Sequence, residues 1–92
     1  MNLSRFDALL EQRNARPDLP HSTVKAQEEC AELISAIARL QANRPHNVAE
    51  ECAHALLALR GMILQLGIEA EVVAGLEAKA QELRAILLRL AG

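Results

Sequence analysis

Alanine and leucine together supply 33 of the 92 residues (17 and 16), while valine, isoleucine and threonine together number ten. That imbalance constrains the fold more than any other feature. Ala and Leu lose little side-chain freedom in a helix, whereas sheets are built mainly from branched and aromatic residues. Phe6 is the only aromatic residue, and Trp and Tyr are absent. The chain is expected to be all-α, a single domain over 1–92. Its helices should number about four, set off by Pro17, Pro20, Pro45 and Gly67.

The first helix is predicted from about Leu3 to Asn14, with Leu3, Phe6, Leu9 and Leu10 as its apolar stripe. Asn14 to Ser22 reads as a loop. The second helix runs from about Thr23 into the 38–42 region, with Ser22 as candidate N-cap. Gln41 to His46 is the next break, centred on Pro45. The third helix opens at Asn47, with Glu50 three residues on as an Asn variant of the capping box, and ends at Gly67. The fourth covers about Ile68 or Glu69 to Leu90, weakened at Gly75.

Several functional classes drop out. A net charge of −2 leaves no basic footprint for nucleic acid or an anionic membrane. No apolar run reaches the roughly 18 residues of a membrane span, and Arg5 and Asp7 interrupt the N-terminal segment where a signal peptide would be apolar. The expected location is the cytoplasm. No Gly-rich phosphate loop is present. Cys30 and Cys52 lack metal-binding spacing and read as buried small hydrophobes in a reducing compartment. A chain this short with almost no aromatics builds a thin core, so the bundle is expected to be completed by homodimerisation, with two-fold symmetry.

The faces of the helices carry the chemistry. At 100° per residue, Cys30, Leu33, Ile34 and Ile37 form one apolar sector of the second helix. Glu29 and Glu32 stand together at its edge beside Lys25 and Ala36, with Glu28 turned further towards solvent. The third helix is apolar on two sides. Between them runs a narrow strip of polar and small residues: Glu51, His54, Ala58, Gly61 and Gln65. A glutamate and a histidine flanked by core on both sides need a partner, and an ion is one such partner. Glu29, Glu32, Glu51 and His54 can therefore converge on a metal held by two helices, although acidic pairs at this spacing are also common on solvated faces. For His54 the alternative is a core histidine hydrogen-bonded to Glu29 or Glu32. The fourth helix presents a long stripe (Val72, Leu76, Ala80, Leu83, Leu87 and Leu90 among its members) that reads as a packing or oligomer face.

Glu28-Glu29-x-x-Glu32, an 18-residue gap, then Glu51-x-x-His54 resembles the E-E-x-x-E … E-x-x-D signature of the MazG-like nucleotide pyrophosphohydrolases, in the all-α NTP pyrophosphatase superfamily. The likeness covers about Thr23 to Leu83. It implies a Mg²⁺-dependent enzyme, dimeric or tetrameric, that cleaves a nucleoside triphosphate to the monophosphate and pyrophosphate. On the matching positions, Glu29, Glu32 and Glu51 would be metal ligands, with Glu28 an accessory acid that orients or activates water. Lys25, and more loosely Lys79 and Arg84, would meet substrate phosphate, although a solvated face also accounts for Lys79 and Arg84. His54 stands where the family has Asp. Imidazole is a poor Mg²⁺ ligand, so Mn²⁺ or another transition metal, or a catalytically inactive helical dimer that binds nucleotide or a partner protein, is the alternative. The spacing also sets a geometric condition. In a tight hairpin centred on 44–45, Glu32 would face Leu57. A site within one chain requires the second helix to stop near Leu40 or the two helices to cross at an angle.

Overall fold

The computed structural model describes all residues, Met1–Gly92, and contains helices and turns only. A 3₁₀ turn at Leu3–Phe6 leads into α1 (Asp7–Asn14); then follow α2 (Ser22–Gln41), α3 (Val48–Leu66) and α4 (Glu69–Ala91). The all-α, four-helix expectation holds. The first helix begins differently: Asn2 accepts a hydrogen bond from the Ser4 amide at 3.1 Å, and the chain winds as a tighter turn before α1 starts.

One predicted cap is corrected and another holds in position only. Ser22 is the first residue of α2 rather than its cap. His21 Nδ1 accepts from the Thr23 amide at 3.2 Å and takes that role, while the Ser22 amide donates to Gln65 Oε1 at 3.0 Å. Asn47 holds the N-cap position of α3, and its carbonyl accepts from the Glu51 amide at 3.0 Å, but its side chain makes no capping bond. Its side-chain nitrogen donates to Glu51 Oε1 at 2.9 Å and its side-chain oxygen accepts from Arg39 Nη2 at 3.0 Å, so these side-chain partners replace the capping box. Gly67 does close α3 as expected. It adopts φ 65°, and the Ile68 amide reaches back to the Ile63 carbonyl at 3.2 Å.

The packed face of α2 differs from the predicted one. Its buried residues are Ser22, Ala26, Glu29 and Ala36, while Ile34 is 69% exposed and Ile37 and Leu40 also face solvent. The side of α3 turned inward centres on its polar and small strip, where Glu51 and Gly61 are buried, together with Ala55 on the adjoining apolar side. The reason is partner satisfaction. The strip meets Glu29 through His54, Asn14 through the Gly61 carbonyl at 2.9 Å, and the Ser22 amide through Gln65. Small residues at Ala26, Ala36, Ala55 and Gly61 let the helices approach closely. Cys30 and Cys52 are free and only partly buried, because both lie beside this seam rather than in it.

α4 stands apart. It packs through its first turns on α3, where Arg60 joins Asp7 of α1 (2.7 and 2.9 Å) to Glu69 of α4 (2.8 Å). Beyond that it extends, and the chain measures 54 × 38 × 20 Å with a radius of gyration of 16.2 Å. A compact domain of this length would be near ~12 Å. Only eight of 92 residues are buried, so the core is as thin as the composition implies. No helix is long and apolar enough to cross a membrane.

Candidate metal centre

The site forms because α2 ends early. Asn43 adopts φ 56°, the Asn43 amide bonds the Leu40 carbonyl at 3.0 Å, and the Arg44 amide bonds the Arg39 carbonyl at 2.9 Å. This Schellman closure turns the chain sharply after Gln41. Residues 42–47 then run back alongside α2, and the Arg39–Asn47 bond fixes Asn47 level with Arg39. From Glu32 to Gln41 is roughly 13 Å of helix, and from Val48 to Glu51 only ~4–5 Å. The returning segment absorbs the difference and brings Glu51 level with Glu32. The condition set by the spacing is met within one chain.

Glu29, Glu32, Glu51 and His54 each offer a donor atom, and these four atoms lie within 4.8 Å of one another. Glu29 and Glu51 are buried, and Glu32 and His54 are exposed. His54 Nδ1 stands 3.4 Å from Glu29 Oε2 and 3.8 Å from Glu51 Oε2; its Nε2 is 3.8 Å from Glu50. Lys25 Nζ pairs with Glu29 Oε1 at 2.9 Å and more loosely with Glu28 at 3.8 Å. The contact with Glu29, followed by that carboxylate's field, raises the Lys25 pKa above its ordinary value. The charges of Glu29 and Glu51, in that order, push Glu32 above the usual carboxylate range.

The residues fit a divalent cation on one decisive point. Glu29 Oε2 and Glu51 Oε2 are both buried and neither has a hydrogen-bond partner. A buried carboxylate oxygen left unpaired is costly. Two of them aimed at a shared point, with a third carboxylate beside them, make a receptor for positive charge. Three oxygens suit a hard ion, and the imidazole nitrogen extends the set towards transition metals.

A cleft of about 480 Å³ adjoins the cluster, with Lys25, Glu29 and His54 on one wall and Leu9, Leu10 and Leu57 on another. Arg13 also lines it, placed there by α1. The sequence reading missed Arg13 because nothing in the local pattern distinguishes it from a solvated helix residue; only the packing of α1 on α3 places it on the cleft wall. Glu28 lies outside the four-residue cluster, half exposed beside Lys25. Lys79 pairs with Glu82 on its own helix at 3.3 Å, and Lys79 and Arg84 both lie exposed on α4 beyond the turns that touch α3. No protein-family model, curated protein or solved structure matches the chain.

Proposed function

We propose that this protein is a divalent-metal-dependent nucleoside triphosphate pyrophosphohydrolase of MazG-like type, working as a homodimer or tetramer in the cytoplasm. The observation that carries the reading is the pair of buried oxygens that accept no hydrogen bond, Glu29 Oε2 and Glu51 Oε2, converging with Glu32 and His54 at the edge of a cleft that also presents cations. Glu29, Glu32 and Glu51 would hold Mg²⁺ or Mn²⁺, with His54 as the fourth donor. When bound, the ion would neutralise phosphate charge and acidify a water for in-line attack. Arg13 and Lys25 offset further phosphate charge from the cleft wall. Leu9, Leu10 and Leu57 give the base an apolar surface, since no aromatic residue lines the cleft. Glu28, beside Lys25 at 3.8 Å, would be the accessory acid that takes the proton of the attacking water.

A second reading is supported by the contacts of Lys25 and His54. Both already engage Glu29. A bundle in which they replace the ion would bind nucleotide, or a partner protein, without turnover.

Pyrophosphate release from a panel of nucleoside triphosphates, with Mg²⁺ and separately with Mn²⁺, decides between them. Turnover by the wild type that Glu32→Gln abolishes is the expected result, with His54→Asp raising activity in Mg²⁺. Activity in His54→Asp alone favours the second reading. Silence in all variants under both ions refutes the enzymatic one.

A further inference from the structure

Helix α4 carries a seam that its own chain leaves uncovered. Val73, Leu76, Ala80, Leu83, Leu87 and Leu90 recur at alternating intervals of three and four, the a and d spacing of a coiled coil. Its five large residues are 47, 65, 50, 64 and 79% exposed. A contiguous apolar stripe of this length marks an interaction surface. The two ends of the stripe differ. Near the start of the helix, Val73 and Leu76 form one wall of an apolar groove of about 390 Å³, closed on the other side by Leu3, Leu56, Leu59 and Ile63. Towards its other end, Leu83, Leu87 and Leu90 project past the bundle with no wall beside them. One end is a receptor and the other an insert, and about 21 Å of helix, from Val73 to Leu87, separates them.

We propose that a second copy of this chain covers the seam, the two α4 helices lying antiparallel about a two-fold axis between Ala80 and Leu83. In this register Val73 meets the partner's Leu90, Leu76 meets the partner's Leu87, and Ala80 meets the partner's Leu83, each pair occurring twice. The insert of each copy enters the groove mouth of the other, so the interface is isologous and closes on itself.

Charge selects the direction. Glu77 and Arg84 occupy e positions beside the seam and Lys79 a g position. Neither Glu77 nor Arg84 has an ion-pair partner in its own chain, whereas Lys79 pairs with Glu82. Antiparallel helices set e against e, so Glu77 faces the partner's Arg84 on both sides of the axis. The Lys79 stem then lies along the partner's Ile86. Parallel helices would instead set Lys79 against the partner's Arg84, a like-charge clash.

This inference rests on the oligomer reading above and gives it an interface, but uses none of the nucleotide chemistry: a monomeric wild type removes both interface and oligomer, a dimer held elsewhere removes the interface alone, and neither result bears on the metal site. Sedimentation equilibrium at low salt tests it on the full chain. The wild type should be a dimer. Leu83→Glu should be monomeric with its helical circular dichroism retained. Glu77→Arg and Arg84→Glu should each weaken the dimer about tenfold, since two pairs per dimer change from attraction to repulsion. The double variant E77R/R84E should restore the wild-type dissociation constant. A monomeric wild type would overturn the proposal. So would a dimer that Leu83→Glu leaves intact while Ile34→Glu on α2 dissociates it. A tighter dimer in Arg84→Glu would establish the parallel arrangement and overturn it equally.

Discussion

Glu51→Gln should be more stable than the wild type without metal and less stable than it with metal. Glu29 and Glu51 present oxygens no more than 4.8 Å apart, and both side chains are about nine-tenths buried. Two unit charges at that distance repel by about 3.5 kcal/mol at an effective dielectric of 20 and by ~1 kcal/mol in bulk water. Lys25 on Glu29 and the open edge at Glu32 place the pair between those limits, near ~2 kcal/mol. Glutamine removes this repulsion and can turn its new N–H towards Glu29 Oε2, which accepts no hydrogen bond. It keeps an oxygen for Asn47. Against the gain stands the loss of a negative charge in the first turn of α3, about 0.3–1 kcal/mol. The net is about 1 kcal/mol of stabilisation without metal, a rise in Tm of roughly 4–8 °C for a domain of this size. With an ion at 100 times its Kd, the wild type gains about 2.7 kcal/mol while the variant, missing a ligand, gains much less. Thermal melts at one fixed protein concentration, in EDTA and then in excess Mg²⁺ or Mn²⁺, read both effects. A variant that melts below the wild type in EDTA would show that the carboxylates do not repel as the geometry requires. Equal metal-induced shifts in the two proteins would show that Glu51 is not a ligand.

Stability without metal should fall as pH rises above about 4.3, the ordinary Glu value, because Glu29 and Glu51 hold Glu32 above that range. A carboxyl with a raised folded-state pKa binds its proton more tightly when folded, so its contribution is present below the ordinary value and lost on titration through the raised one. Urea midpoints measured from pH 4 to 8 should show this slope, and Glu32→Gln should flatten it. Asp7, held below its usual range by its bonds to Arg60, acts in the opposite sense: its contribution is lost only as pH falls below the ordinary carboxylate value. Arg60→Met should release the start of α4, seen as faster amide hydrogen exchange over residues 72–75 with α2 amides unchanged; uniform change along the chain would contradict the local tether. Gly67→Ala should cost about 1–2 kcal/mol, because φ 65° crowds a Cβ against the backbone although the surrounding space is open; an unchanged denaturation midpoint would refute the strain.

The sequence by itself determined the helical class, every helix end except the start of α1 to within a few residues, and the identity of the clustered acids. These are local properties. Ala and Leu favour helix wherever they stand, Gly67 supplies its left-handed turn without help, and Glu29 with Glu32, or Glu51 with His54, share a face through the 3.6-residue period alone. The tertiary structure decided which face is buried and whether the acids meet. The apolar sector at Ile34 and Ile37 looked like the core of α2, yet the seam at Ala26, Glu29 and Ala36 took that place because the polar strip of α3 finds its hydrogen-bond partners there. Hydrophobic period identifies faces but cannot rank two of them when small residues permit closer packing than large ones. The level of Glu51 against Glu32 hangs on Asn43, a residue in the left-handed region, and on Arg39 reaching Asn47 across the loop. Arg13 joined the cleft only through the docking of α1. The buried face and the docking of α1 depend on contacts between residues far apart in the chain, and the Asn43 turn on a backbone choice within the loop; a pattern read along one helix carries no information about any of them.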